Sequence, residues 1–128
     1  MRKVSQEELR EILKDHALWV WSGGKGGCKA DLSCTDLSGA NLQGANLYDA
    51  DLIEADLSRV PLIRVNLIGA NLTRANLSQA NLTKTNLSWA DLSEADLRVA
   101  TAKGCRIEGA RFSSPKDRAR LLMLGAEE

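Results

Sequence analysis

Leucine recurs at every fifth position from Leu32 to Leu97, and the series runs on through Ala102, Ile107 and Phe112. Around each leucine the order is fixed, as in ANLTRANLSQANLTKTNLSWADLSEADL from Ala70 to Leu97. A small residue stands two positions before the leucine and Asp or Asn one before. Two mostly polar, variable residues follow. Five is the period neither of an α-helix nor of an ordinary strand. In extended chain, residues two apart share a face, so the small residue and the leucine point one way and the Asp/Asn between them the other. The two remaining residues suffice for a sharp turn that resets the phase. Each unit therefore predicts a very short strand and a bend. Successive bends wind the chain into a coil, and coils stack at the strand spacing of ~4.8 Å.

Seventeen such units cover residues 30–114. The small slot is Ala in 12 of them and Thr35, Val60, Val65, Thr85 or Cys105 in the others, which fits a narrow interior. The polar slot is Asp or Asn in 13, with Pro61, Thr101, Arg106 and Arg111 as exceptions. The predicted core is Leu32, Leu37, Leu42, Leu47, Leu52, Leu57, Leu62, Leu67, Leu72, Leu77, Leu82, Leu87, Leu92, Leu97, Ile107 and Phe112. Burying each leucine contributes roughly 1.5–3 kcal/mol, and because no unit has a core of its own, stability comes from stacking neighbours. Pro61 lacks a backbone donor and is expected to break the ladder locally. Ala102 leaves its centre under-filled, which makes the last coil the loosest.

The A-[DN]-L-x-x repeat resembles the pentapeptide-repeat family over about two-thirds of the chain. That resemblance implies an all-β solenoid, a right-handed quadrilateral parallel β-helix with four pentapeptides per coil. Units four apart would stack, and 17 units would make a little over four coils. The opening EELREILKDHALWVWSGGKGG is similar to the leader of many small pentapeptide-repeat proteins of bacteria and phages. In topoisomerase-binding members a C-terminal segment makes the dimer.

Stacked coils leave open edges, and both flanks read as short α-helical caps. In residues 1–29, Ser5 and Glu8 have capping-box spacing. Leu9, Ile12, Leu13 and Ala17 follow at helical spacing. A helix from about Gln6 to Trp19 could lay Leu9, Leu13, Trp19 and Trp21 over the first coil, with Gly23-Gly24-Lys25-Gly26-Gly27 as a flexible joint to the column. In residues 115–128, Ser114-Pro115 starts a second helix. Leu121, Leu122, Met123 and Leu124 cannot all face one coil, so this tail is either a lid or the contact of a homodimer.

Charge narrows the classes of partner. Seventeen basic residues balance 17 acidic ones, and no apolar run approaches the ~20 residues of a membrane span. Direct nucleic-acid binding and membrane association are not expected. The charged N-terminus lacks a signal-peptide centre, which places the protein in the cytoplasm. Cys28, Cys34 and Cys105 form no C-x-x-C pair and read as reduced thiols, Cys105 in a core slot. His16, the only histidine, lies in the last turns of the first helix, where a cation suits the dipole. The glycine run lacks the Ser/Thr of a P-loop. The recurring aspartates are repeat positions first. No catalytic, cofactor or metal site is read, and an enzyme is not expected.

Function then lies in outward positions. Rotating units through four faces puts acid on the faces centred on Leu32 and Leu37, and Arg64, Lys84 and Lys103 without acid on the face centred on Leu42. The face centred on Leu47 shows Tyr48, Ile68 and Trp89 at turn positions of successive coils, a candidate partner contact. The expected function is a non-enzymatic binding or scaffold module for an unidentified protein partner. The alternative, implied by the resemblance, is a DNA mimic that binds and protects DNA gyrase. Against it, the repeat carries a net charge of only −2 (eight basic, ten acidic residues).

Overall fold

The computed structural model describes residues 1–128. Parallel bridges join residues twenty apart along the whole repeat, among them Asp31 with Asp51, Asp51 with Asn71 and Asn71 with Asp91. Four units therefore make one coil, and the rotation of units through four faces is the observed register. Regular strand is minimal: β2 is Thr35–Asp36, β3 Asp91–Leu92 and β4 Arg111–Phe112. Elsewhere each unit gives one bridge residue before the chain turns, except the unit centred on Leu42, whose Asn41 gives none.

The turn explains the five-residue period. In most units the carbonyl of the central leucine accepts from the N–H three residues on, as Leu47 does from Ala50 at 3.0 Å. The residue two after the centre has positive φ. Ten non-glycine residues adopt it, from Cys34 at 53° to Arg59 and Trp89 at 62°. Such turns are costly for side chains other than Gly or Asn, and a second interaction holds them. The Oδ1 of every Asp or Asn in the polar slot accepts from the N–H just after the centre, for example Asp56 from Ser58 at 3.0 Å and Asn76 from Ser78 at 3.0 Å. Asp and Asn are the side chains short enough to close this loop.

Inside, the central leucines from Leu32 to Leu97 are at most 2% exposed, and Ile107 matches them. Phe112 is only half-buried, because it ends the winding with no further coil above its face. In the small slot, Thr85 turns its hydroxyl to the Leu62 carbonyl and Thr35 donates to Ser33 at 3.0 Å, so both are buried with a partner. The repeat slips once. Val99 stands where φ must be positive, a conformation that β-branched residues resist. It turns inward instead (7% exposed), Ala100 is pushed outside, and the Ala100 N–H bonds Ala80 rather than closing the turn on Leu97. The centre at Ala102 is thus accompanied by an extra valine in the core.

Pro61 interrupts the ladder on one side only. The rung to Asn81 is intact, with Leu62 N–H to Asn81 at 2.8 Å and Asn81 N–H to Val60 at 3.1 Å. Toward the first coil, the bonds that other faces make are missing, and Leu42 N–H and Ala40 carbonyl have no backbone partner.

At the start of the chain, β1 (Arg2–Lys3) pairs in parallel with β2, as a strand one coil below would. Helix α1 (Gln6–Trp21) follows, with the Ser5 side chain accepting from Glu8 N–H at 3.0 Å. Leu9 is buried, Ile12 and Leu13 half-buried, and Trp21 is 86% exposed, so Trp21 does not lie over the first coil. It sits at the very end of the helix, which runs two residues beyond the expected stop. The glycine run is not a slack joint. Gly24 N–H bonds Trp19 at 2.8 Å, Ser22 Oγ accepts from Gly26 at 2.8 Å, and Cys28 N–H reaches back to Asp15 at 3.3 Å. Gly27 passes so close to α1 that a Cβ would stand 2.2 Å from the Asp15 carbonyl, which requires glycine there.

At the other end, Ser114 accepts from Lys116 at the start of α2 (Pro115–Met123). The chain then lies on the last coil as one more strand. Ala102 N–H bonds Leu124, Gly104 bonds Gly125, and Ile107 N–H and Cys105 carbonyl both pair with Glu127. Leu121 and Ala126 are buried, Leu122 and Leu124 half-buried, and Met123 is 87% exposed. Arg118 pairs with Glu128 across this tail. Leu121 is therefore not available as a dimer contact.

Candidate functional site

The polar slots are committed to the fold. Four of their carboxylates are held low by their own turns: the Ser33, Ser38 and Ser93 hydroxyls lower Asp31, Asp36 and Asp91, and the Arg98 guanidinium lowers Asp96. A catalytic acid needs a raised pKa, the opposite of this pattern. No three His, Cys, Asp or Glu side chains converge on one point. Cys105 is buried and its thiol is pushed up to about 12 by desolvation, while Cys28 and Cys34 are exposed.

His16 is not a surface cation at a helix end. It is fully buried under the first coil, and its Nδ1 accepts from Ala30 N–H at 2.9 Å. Burial lowers its pKa, and the ring stacks on Trp19 with centroids 5.5 Å apart. Periodicity alone could not place it, because its partner is a backbone N–H fourteen residues on. Gln6 does related work that the sequence did not signal. Its amide accepts from Asn41 N–H at 3.3 Å and donates to Asn41 carbonyl at 3.4 Å, replacing a strand on that face.

The acid-bearing faces are partly neutralised. Glu54 pairs with Arg74 at 3.1 Å, Asp91 with Arg111 at 3.9 Å, Asp96 with Arg98 at 2.5 Å and Asp36 with Lys3 at 4.0 Å. Arg64, Lys84 and Lys103 are exposed and outside every ion pair of the chain.

Tyr48, Ile68 and Trp89 do not stand in one column. Tyr48 and Ile68 occupy the position just after the centre, Trp89 the next. Tyr48 is 39% exposed and borders a shallow cleft of about 270 Å³ with Trp19, Val20, Gly23 and Gly24 of the N-terminal segment. Ile68 is half-buried. Trp89 is 65% exposed and lies over Gly109, one coil up, where a Cβ would meet its ring at 2.3 Å. Asp49 over Gly69 and Lys84 over Gly104 repeat the arrangement. A large residue with glycine twenty positions later is the signal that would have shown it.

No helix is long and apolar enough to cross a membrane. Against known proteins, the family description "Pentapeptide repeats" matches residues 30–67 and 62–98, in 8 copies. No curated protein matches the sequence. Among solved structures, the chain is similar to alr5209, a pentapeptide repeat protein from Nostoc, at 30% identity and a TM-score of 0.55, over 86% of this chain and 90% of that one. It is 35% identical to the pentapeptide repeat protein Rfr23 from Cyanothece over 66% of this chain and 57% of that one, TM-score 0.32. QnrB1, described as a plasmid-mediated fluoroquinolone resistance protein, is 16% identical over 80% of this chain and 74% of that one, TM-score 0.42, a likeness that carries no functional weight. Repeat, register and relatives agree: the chain belongs to the pentapeptide-repeat family, whose fold is the right-handed quadrilateral β-helix.

Proposed function

We propose that this protein is a non-enzymatic binding module, a rigid column that engages a protein partner through the edge carrying Trp89, with its terminal segments acting as caps. The observation that carries this reading is Trp89 itself. A large apolar ring is held outside at φ 62° and backed by Gly109, on a backbone stapled at every coil. Pre-ordered exposed tryptophans of this kind are the residues on which binding energy concentrates. The absence of catalysis is supported by the same economy: the aspartates of the polar slots serve the turns, and the one histidine serves the backbone. With Leu121 inside and the segment after α2 paired to the last coil, the C-terminal tail serves as a lid.

Capture from a lysate of the source cells, with wild type beside Trp89→Ser, tests the reading once circular dichroism shows both equally folded. A partner held by wild type and lost by the variant supports it. No partner, or one held equally by both, refutes the Trp89 edge and redirects attention to Arg64, Lys84 and Lys103. Gyrase protection is disfavoured by the ion pairs that dilute both acidic faces. A supercoiling assay with and without the protein, in the presence of a gyrase inhibitor, is expected to show no difference.

A further inference from the structure

The first coil has a lower edge of backbone groups that would pair with a preceding coil, and unpaired strand edges invite association. Three features of the N-terminal segment cover it: the β1 backbone, the Gln6 amide and the His16 imidazole. Only the third can change charge near neutral pH. Because Nδ1 accepts from Ala30 N–H, the neutral ring carries its proton on Nε2. Nε2 is buried without a hydrogen bond of ordinary geometry and is turned toward the Tyr48 backbone. A second proton would have to sit on Nδ1, donor against donor with Ala30 N–H, in a site closed to water. The charged groups that face the ring are Lys29, from the loop after α1, which opposes a cation, and Asp49, from the first coil, which favours one. Lys29 also lies 5.9 Å over the Trp19 ring on which His16 stacks. From α1 the ring meets that tryptophan rather than a carboxylate.

We propose that His16 is an acid-sensitive latch: protonation expels it from beneath the first coil and releases α1 and the glycine loop while the coils above remain wound. This adds a regulated N-terminal edge to the column and is independent of Trp89. The sign follows from linkage. The folded site binds its proton more weakly than the open segment does, so closure is fully favoured above pH ~6.5 and weakens as pH falls below it. One proton limits the effect to about tenfold in the opening constant per pH unit. The lowered aspartates of the column titrate well below this window, which leaves the coils unaffected.

The test is amide hydrogen exchange of the full chain between pH 7.5 and 5, corrected for the intrinsic pH dependence of exchange. Wild type is expected to lose protection at Ala30 and along α1 by up to tenfold per unit below pH 6.5, with Leu67, Leu72 and Leu77 amides unchanged. His16→Asn, whose Oδ1 can accept from Ala30 without titrating, is expected to show a flat profile. Unchanged α1 protection in wild type, or an equal loss in His16→Asn, overturns the latch. Should the variant fail to close at any pH, the NMR titration of His16 in wild type decides. Protonation that coincides with loss of α1 protection supports the latch, and protonation with α1 still protected overturns it.

Discussion

Pro61→Asn should stabilise the column, and the amount can be worked from the missing rung. Asparagine restores an N–H to meet the free Ala40 carbonyl. It also lets the chain draw the residue-61 carbonyl toward the unpartnered Leu42 N–H, as the three other faces do at this level. Its Oδ1 can further accept from Ile63 N–H, the turn contact made by all 13 Asp and Asn in polar slots. Three hydrogen bonds at about 1 kcal/mol each, less about 0.4–1 kcal/mol for the greater freedom of the unfolded chain without proline, leave a gain of about 2 kcal/mol. For a domain of this size that is roughly 8 °C in Tm. Differential scanning calorimetry of wild type, Pro61→Ala and Pro61→Asn separates the parts. Pro61→Ala gains only the ladder bonds, and the step from Ala to Asn isolates the turn contact at about 1 kcal/mol. An unchanged or lowered Tm for Pro61→Asn would refute the idea that the lost rung costs stability. Equal values for Ala and Asn would refute the role given to the polar slot.

At pH 8 a thiol reagent should label Cys28 and Cys34 quickly and reach Cys105 only after denaturation, since its thiol is buried and raised to about 12; three fast equivalents in the native protein would contradict the packing. Asp31, Asp36 and Asp91 are lowered below the ordinary 3.8 by neighbouring hydroxyls, so their contribution is present above pH ~3.8 and lost as pH falls through their folded values. Urea midpoints should drop between pH 5 and 3, and by less when Ser33, Ser38 and Ser93 are all alanine. Leu67→Ala, in the middle of the column, should cost about 3–5 kcal/mol by urea unfolding, because its stacked neighbours cannot collapse into the space.

Periodicity reached the column because each unit repeats the same demand, and the inward leucines and the turns follow from it, while the four faces and the twenty-residue register follow from the family resemblance. It stopped where a demand is met once. Val99 matches the repeat by spacing yet cannot take the turn, so alignment of Ala100 with the small slot misplaced both residues. The glycine run has the composition of a tether, but Gly27 is there for a close approach to α1 that only coordinates reveal. His16 and Gln6 pair with backbone groups of residues 30 and 41, and a side chain replacing a strand leaves no periodic trace. Tyr48, Ile68 and Trp89 share a face, but reading them as one patch ignored that adjacent turn positions project in different directions.

The turn also decides what such a column can display. The residue after each centre has its N–H drawn back to the polar slot, and the next must adopt positive φ. At that second position stand glycine, Cys34 or polar and charged side chains, with Trp89 the one aromatic; Val99 and, at the start of α2, Ser114 (φ −146°) do not take the positive φ. Side chains there lean one coil forward: Glu54 meets Arg74, while Asp49, Lys84 and Trp89 overlie glycines. Four corner ladders result, of which Gly44–Arg64–Lys84–Gly104 is purely basic and Asp49–Gly69–Trp89–Gly109 carries the tryptophan. These positions contribute little to the core, so they can vary while the leucines and the polar slots stay fixed. What distinguishes one column of this kind from another must then reside in its corners and its ends, and in this chain the two most individual features are a tryptophan seated on glycine and a histidine closed beneath the first coil.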